Sequence, residues 1–189
     1  MKLRELAAGC AVLLGIDDGF LREGGVMTED EQLVYERLKS AINSVYTFIA
    51  KDYCRPLYTE TVQTDRKSGV LISELAKSYM QFHSAKNEKG CPVAGREYPD
   101  YVRFSVRPGS QVSITYYYLP PRLEDLDDEV ELPEKDVAAE AYLYGALSLY
   151  YTTEGRHTEA AAWDRRYKSV LDGTERMRGE HRLPSRRWS

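Results

Sequence analysis

The stretch from Leu132 to Asp172 constrains the fold most, because it predicts two helices joined by a tight turn. Pro133 suits the first turn of a helix, and Gly155 falls where a left-handed residue would end it. Thr158 is a candidate N-cap of the second helix. Small and apolar side chains recur at three- and four-residue spacing along the first helix: Ala139, Tyr142, Leu143, Ala146, Leu147, Tyr150 and Tyr151. A helical hairpin cannot bury such a face alone, so the rest of the chain must pack against it.

Two more amphipathic helices are predicted near the start of the chain. Lys2–Ile16 carries leucine and alanine at helical spacing. Thr28 and Glu31 have the spacing of a capping box, in which each side chain bonds a free backbone amide, and Pro56 ends the long helix that they begin. We therefore expect a helical bundle from residues 1–56 and 132–178. The side chains expected to be buried in it are Leu38, Ile42, Val45, Leu143 and Leu147.

Between Leu57 and Leu119 the apolar period changes to alternation, which is typical of β-strands. Arg107–Ser110 has the length of a hairpin loop between the last two strands, and Asp65–Gly69 has the composition of an earlier turn. Asn87–Pro99 is rich in Gly and Pro and is the longest loop signal in this region. The sequence thus predicts an α+β fold with an antiparallel β insertion at residues 57–121 between the helices.

Two polar segments flank the second helical region. Residues 122–131 are predicted to be an acidic linker, and the run Glu124–Glu134 holds seven acids and no base. A solvated linker is the plain interpretation of this run, an acidic lining or partner surface is the alternative, and a dedicated metal site lacks the spacing of a calcium loop. Residues 179–189 are basic and are predicted to form an extended C-terminal tail.

Composition argues against several classes of protein. No stretch approaches the 18 or so apolar residues of a membrane-spanning helix, and no apolar run precedes Cys10 as an export signal requires. The three cysteines lack metal-binding spacing and fit a reduced compartment. A net charge of −4 argues against a protein that coats nucleic acid. Fifteen tyrosines are consistent with either assembly interfaces or a core.

No catalytic motif is present, and the three histidines, His83, His157 and His181, fall in different predicted elements. We therefore expect no enzyme activity, no cofactor and no metal. The alternative of a small hydrolase would need carboxylates that converge in space, for which Glu88, Glu97, Asp100 and Asp125 are the candidates.

The order of parts resembles the head-to-tail adaptors of tailed phages, and is similar to the tail-tube gatekeeper adaptor of short-tailed phages. The parts are a short helix, a long helix, a β insertion ending in ITYYYLPPRL, an acidic ELPEK, a tyrosine-rich helical hairpin and a final LPSRRW. The resemblance implies a structural virion protein that forms a ring, commonly of twelve copies, between portal and tail. It further implies contacts with the portal and with a tail or nozzle protein, DNA passing through without sequence-specific binding, and synthesis in the host cytoplasm. The alternatives are another neck or tail-completion protein and a non-viral scaffold that uses the hairpin as a groove.

Two surfaces are the candidate contact sites. Tyr116 and Tyr118 share one face of the last strand, with Tyr117 on the other, and are expected to contact a neighbouring subunit or the tail. In the C-terminal tail, apolar anchors and arginines are expected to dock on the portal or on an adjacent adaptor. These tail residues are Arg182, Leu183, Arg186, Arg187 and Trp188. A tail that binds DNA phosphates loosely is the competing interpretation.

Overall fold

The computed structural model describes residues 1–21, 27–132 and 137–178, except for the side chains of residues 20 and 174–178. The chain divides into two compact units. We call Met1–Tyr46 together with the chain from Arg122 onward the helical unit, and Thr47–Pro121 the β unit. The predicted α+β class is confirmed. The tail at 179–189, and the predicted helix start at Pro133, lie outside the described residues.

Four α-helices make up most of the described part of the helical unit. They are α1 (Leu3–Leu14), α2 (Glu29–Phe48), α3 (Ala139–Thr153) and α4 (His157–Arg178). A 3₁₀ turn occupies Gly19–Leu21, and a π-helical segment, Ile49–Cys54, follows α2. Gly15 ends α1 with φ of 73°, a left-handed conformation that glycine adopts without steric cost.

Local capping signals were confirmed at two positions and wrong at a third. The Glu31 carboxylate accepts the backbone N–H of Thr28 at 2.7 Å, and the Glu31 N–H donates to Thr28 Oγ1 at 3.3 Å, so the capping box forms. Gly155, with φ of 72°, lies in the turn between α3 and α4. Thr158 is not an N-cap, because α4 already begins at His157. Helix α3 begins only at Ala139, which follows an extended Ala138.

The core of the helical unit follows the predicted apolar stripes closely. Leu38, Ile42, Val45 and Leu147 are buried, as expected. Leu143 is only half-buried, and its side chain packs against Gly9 of α1. Gly145 lets α3 approach its neighbours closely, because a Cβ there would lie 2.9 Å from the Val45 side chain and 3.1 Å from the Tyr167 ring.

Seven strands form two antiparallel sheets in the β unit. The strands are β1 (Leu57–Gln63), β2 (Gly69–Leu71), β3 (Ser78–Asn87), β4 (Pro92–Val93), β5 (Gly95–Glu97), β6 (Tyr101–Phe104) and β7 (Gln111–Leu119), with a 3₁₀ turn at Ile72–Glu74. One sheet has the order β1-β7-β3-β4 and the other β2-β6-β5. Side chains from both sheets make one hydrophobic core, whose largest members include Phe104, Ile114 and Tyr116.

Two predictions about this region were wrong. The turn Arg107–Ser110 does not close a hairpin, because β6 and β7 belong to different sheets. Strand β7 instead has a longer antiparallel partner on each side, β1 and β3, and these pairings occupy its hydrogen-bonding groups along nearly its full length. The segment Asn87–Pro99 is not one long loop, since it contains the short strands β4 and β5.

Candidate interaction surfaces

The predicted contact pair Tyr116 and Tyr118 points into the β unit's own core. Tyr116 is 0% exposed and Tyr118 only 8% exposed. The Tyr116 hydroxyl donates to Glu60 Oε1 at 2.6 Å, and the ring of Tyr58 meets both tyrosine rings edge-on at about 6 Å. Desolvation, with the hydrogen bond to Glu60, raises the pKa of Tyr116. The predicted shared face was correct, but its exposure was wrong, because the second sheet covers it.

The opposite face of the same sheet points outward, and we call it the outer face. There the Arg55 guanidinium carbon lies 4.3 Å from the centre of the Tyr117 ring, and Arg55 also donates to the Gln81 side chain. The His83 ring meets Tyr117 edge-on at 5.4 Å. Beyond this stack, β1 and β7 present hydroxyl and amide groups, with Thr59 and Thr115 hydrogen-bonded at 2.9 Å. The side chains of the outer face are therefore mainly polar and contact one another. Leu57 is an exposed apolar residue on this face.

Three turns meet at one end of the β unit, which we call the turn end. They are the Asp65–Gly69 turn, the Asn87–Cys91 turn and the Arg107–Ser110 turn. The first is joined to the third by hydrogen bonds from the Thr64 N–H to the Ser110 carbonyl and from Ser68 Oγ to the Val106 carbonyl. The second is joined to the start of β7 by a hydrogen bond from the Gln111 N–H to Glu88 Oε1.

Cations outnumber carboxylates at the turn end. Asp65 accepts the backbone N–H groups of Gly69 at 2.7 Å and Lys67 at 2.8 Å, and these bonds lower the pKa of its carboxyl. Glu88 is likewise bound to a backbone amide. Four exposed cations make no salt bridge within the described chain: Arg66, Lys67, Lys89 and Arg107. A cleft of about 720 Å³ opens beside Lys89 and Arg107.

The acidic segment at 122–131, predicted to be a solvated linker, is hydrogen-bonded through its backbone to the start of α1. The carbonyls of Leu126 and Asp128 accept the N–H groups of Arg4 and Leu3, which are free amides at the start of α1. The Asp128 carboxylate accepts the N–H groups of Asp125 and Glu124, and these bonds lower the pKa of its carboxyl. Several of its carboxylates remain exposed to solvent: Glu124, Asp125, Asp127 and Glu129.

Asn43 anchors the start of this acidic segment. Its side-chain amide donates to the Leu123 carbonyl at 2.9 Å and to the Lys39 carbonyl at 3.1 Å, while its Oδ1 accepts the Leu123 N–H at 2.8 Å. Both Asn43 and Leu123 are buried. No pattern in the sequence indicated that this polar residue of α2 would be buried.

The surface of the helical unit also has a cleft between α2 and α3, of about 390 Å³. Arg37 of α2 and Glu154 after α3 form an ion pair across it. Leu149 lines it and is 38% exposed. Other exposed apolar side chains of this unit are Val12, Leu13 and Leu33.

Among the remaining sequence candidates, Glu97 and Cys10 have a defined environment, and several others lie outside the described residues. Glu97 accepts a hydrogen bond from the Tyr79 hydroxyl at 2.8 Å. The three cysteines form no disulfide with one another, and burial raises the pKa of Cys10 to about 12. The tail candidates Arg182, Leu183, Arg186, Arg187 and Trp188 lie outside the described residues, as does His181.

Within residues 1–21, 27–132 and 137–178, no helix is both long and apolar enough to cross a bilayer. The same residues contain no group of three or more His, Cys, Asp or Glu side chains arranged to hold a metal ion. No family model and no curated protein matches the chain.

Proposed function

We propose that the chain is a structural virion protein, a head-to-tail adaptor that forms a ring between portal and tail around the DNA channel. The observation that supports it best is the order of elements. A helical unit is interrupted between α2 and α3 by a β unit and resumes in a helical hairpin. The resemblance of the sequence to phage adaptors is based on this same order of elements.

The charge distribution is compatible with such a ring. The β unit has ten Lys and Arg against seven Asp and Glu, whereas the rest of the sequence has sixteen against twenty-three. Each subunit of a closed ring contacts its neighbours through two different faces. A chain whose two units differ in the sign of their net charge can present different surfaces to its two neighbours, and opposite charges across a contact favour a fixed register.

The proposed partners are further copies of the chain, the portal and a downstream tail or nozzle protein. Twelve copies is the proposed stoichiometry, and DNA passes through the ring without sequence-specific binding. The proposed location is the neck of the virion, after synthesis in the host cytoplasm.

Native mass spectrometry and light scattering test the ring. We expect a species at, or close to, twelve times 21.7 kDa, at least when the portal is added. Immunogold labelling of particles should mark the neck. A chain that remains monomeric or dimeric with and without the portal, together with unlabelled particles, would contradict the proposal.

The C-terminal tail gives a second test, which addresses the portal contact. Docking through an apolar anchor predicts that Trp188→Ala weakens portal binding by roughly 2 kcal/mol or more. A triple Arg→Lys change at Arg182, Arg186 and Arg187 should also weaken it where arginine forms bidentate pairs with carboxylates. A Trp188→Ala complex of unchanged affinity would show that the tail does not dock in this way.

A helical-hairpin scaffold is the second candidate, and the cleft between α2 and α3 is the observation that favours it. A partner helix in this cleft would contact Leu149 and displace the exposed Arg37–Glu154 pair. This candidate predicts a monomer or dimer in solution, whose partner binding is lost in Leu149→Glu. A ring that assembles normally from the Leu149→Glu variant would argue against it.

A further inference from the structure

The geometry of the turn end points to a site that contacts the phosphates of duplex DNA without reading its sequence. This inference rests on the proposed function for the presence of DNA, and goes beyond it by assigning the contact to named residues. The β unit carries the excess of positive charge, although the whole chain has a net charge of −4.

The turn end carries more exposed cations than carboxylates. Asp65 and Glu88 are the two carboxylates on these turns, and both accept hydrogen bonds from backbone amides. The four cations of the same turns are exposed and make no salt bridge within the described residues: Arg66, Lys67, Lys89 and Arg107. An anion that approaches the turn end therefore meets four cations against two carboxylates, and of these cations Lys67 is partly offset by the nearby charge of Asp65.

The cleft beside Lys89 and Arg107 is lined by side chains that can bond phosphate oxygens. Besides Lys89 and Arg107, its lining includes four neutral polar residues: Asn87, Ser105, Ser110 and Gln111. Arginine, lysine, serine, asparagine and glutamine are side chains that commonly bond phosphate oxygens in protein–DNA complexes, and such contacts carry no sequence information directly. The cleft also contains Glu88, which limits the strength of phosphate binding.

Hydrogen bonds hold the turns of the turn end in place. Hydrogen bonds join the Asp65–Gly69 turn to the Arg107–Ser110 turn, and another joins the Asn87–Cys91 turn to β7. The backbone that carries the cations is therefore already ordered, so DNA binding does not have to order these turns. Four contacts of this kind give weak, salt-sensitive binding, with non-specific dissociation constants on the order of 10⁻⁴–10⁻⁶ M at physiological salt. Binding of that strength lets DNA slide.

Fluorescence anisotropy of the full chain with a labelled 20-base-pair duplex tests the site. If all four cations meet phosphates, the plot of log K against log salt between 50 and 200 mM should have a slope of about −3.6, since each contact contributes about −0.9. Lys89→Gln with Arg107→Gln should reduce the slope by about 2 and lower the affinity at least tenfold near 0.1 M salt. Two duplexes of unrelated sequence should behave alike.

The matched control is Arg165→Gln with Lys168→Gln, which removes one arginine and one lysine from exposed positions of α4. It should bind DNA like the wild type. A third variant replaces Arg182, Arg186 and Arg187 with glutamine in the tail. If that variant loses DNA binding while the cleft variant keeps it, the tail is the DNA contact and the inference is overturned.

Two further outcomes are decisive. Absence of salt-dependent DNA binding by the wild type overturns the site. Equal competition by poly-glutamate at matched charge also overturns it, because the turn end would then recognise acidic protein. A ring that forms without binding DNA refutes only this site, whereas DNA binding through the cleft by a chain that forms no ring refutes only the adaptor function.

Discussion

The helical unit and the β unit differ both in charge and in the make-up of their cores. The helical unit has an acidic surface segment at 122–131 and a core of mainly aliphatic side chains and close helix contacts. The β unit is basic, and its core is rich in aromatic rings, including Tyr116 and Phe104. One chain thus combines two ways of burying apolar surface, and its modest net charge conceals two regions of opposite sign.

Burial in the two cores accounts for part of the tyrosine content. Six of the fifteen tyrosines are buried: Tyr35, Tyr46, Tyr116, Tyr118, Tyr142 and Tyr167. In the β unit the polar end of a core tyrosine is matched by a carboxylate, as in Tyr116 with Glu60 and Tyr79 with Glu97. A buried hydroxyl needs such a partner, because leaving it unbonded costs free energy. Tyrosine abundance is therefore a weak sign of an interface in this protein.

The largest expected effect is in the β core. Tyr116→Ala should lower the free energy of unfolding of the β unit by about 3–5 kcal/mol, because it removes a fully buried ring and the hydrogen bonds that its hydroxyl makes with Glu60 and the Lys77 N–H. Hydrogen-exchange mass spectrometry during urea unfolding can follow the two units separately. The control is Tyr117→Ala, at the next residue and on the outer face. It should lower the free energy of unfolding much less than Tyr116→Ala does. Equal losses from the two variants would contradict the assignment of the faces.

The second effect belongs to the helical unit. Asn43→Ala should lower its free energy of unfolding by about 2–3 kcal/mol, because the backbone N–H and carbonyl of Leu123 lose buried hydrogen bonds. Ser44→Ala is the neighbouring control, since Ser44 is exposed and, within the described residues, its hydroxyl donates only to the Ser40 carbonyl. Tryptophan fluorescence during urea unfolding provides the measurement, because Trp163 lies in α4. A small loss would mean that water replaces the amide.

The third effect compares two glycines of the helical unit, and the expected changes have opposite signs. Gly145→Ala should destabilise by about 1–2 kcal/mol, because the new Cβ overlaps Val45 and Tyr167 and this outweighs the better helix propensity of alanine. Gly173→Ala in α4 should instead stabilise by up to about 1 kcal/mol, because its Cβ meets nothing within 4 Å. Thermal unfolding followed by circular dichroism measures both. A stabilising Gly145→Ala would refute the close contact.

The smallest effect concerns acid sensitivity in both units. The carboxyls of Asp65 and Asp128 have lowered pKa values, because each accepts two backbone N–H groups. A lowered pKa stabilises the folded state at pH values above the unfolded pKa, and this contribution is lost as the pH falls below about 4. Asp65→Asn should therefore flatten the acid sensitivity of the β unit alone, and Asp128→Asn that of the helical unit alone. Hydrogen exchange between pH 5 and 3 distinguishes the units, and a change in the wrong unit would contradict these assignments.

Most predictions from local signals in the sequence succeeded, and the N-cap at Thr158 is the exception. The Thr28–Glu31 capping box and the left-handed Gly155 depend on residues close in the chain, and the alternating pattern of β7 correctly assigned Tyr116 and Tyr118 to one face. The prediction of a hairpin at Arg107–Ser110 was wrong, because a turn alone does not decide which strands pair. The longer strands β1 and β3 occupy both edges of β7, so β6 does not pair with it.

The candidate site was predicted less well than the fold. The pattern of β7 does not say which of its faces a second sheet will cover, so the sequence could not show that Tyr116 and Tyr118 are buried. The turn end was missed, although residues 57–121 contain more bases than acids and each of its four cations lies on a turn. No local pattern shows that three turns separated by some twenty residues will meet.

The sequence by itself determined the elements: which stretches are helical, which alternate, and where glycine or a capping box ends or begins them. These features depend on backbone conformations and hydrogen bonds within a few residues. Only the tertiary structure decided that β7 lies between β1 and β3, that Tyr116 is covered, and that the acidic segment caps α1. Each of these depends on which distant surfaces bury each other best, and many arrangements of the same elements compete for that burial.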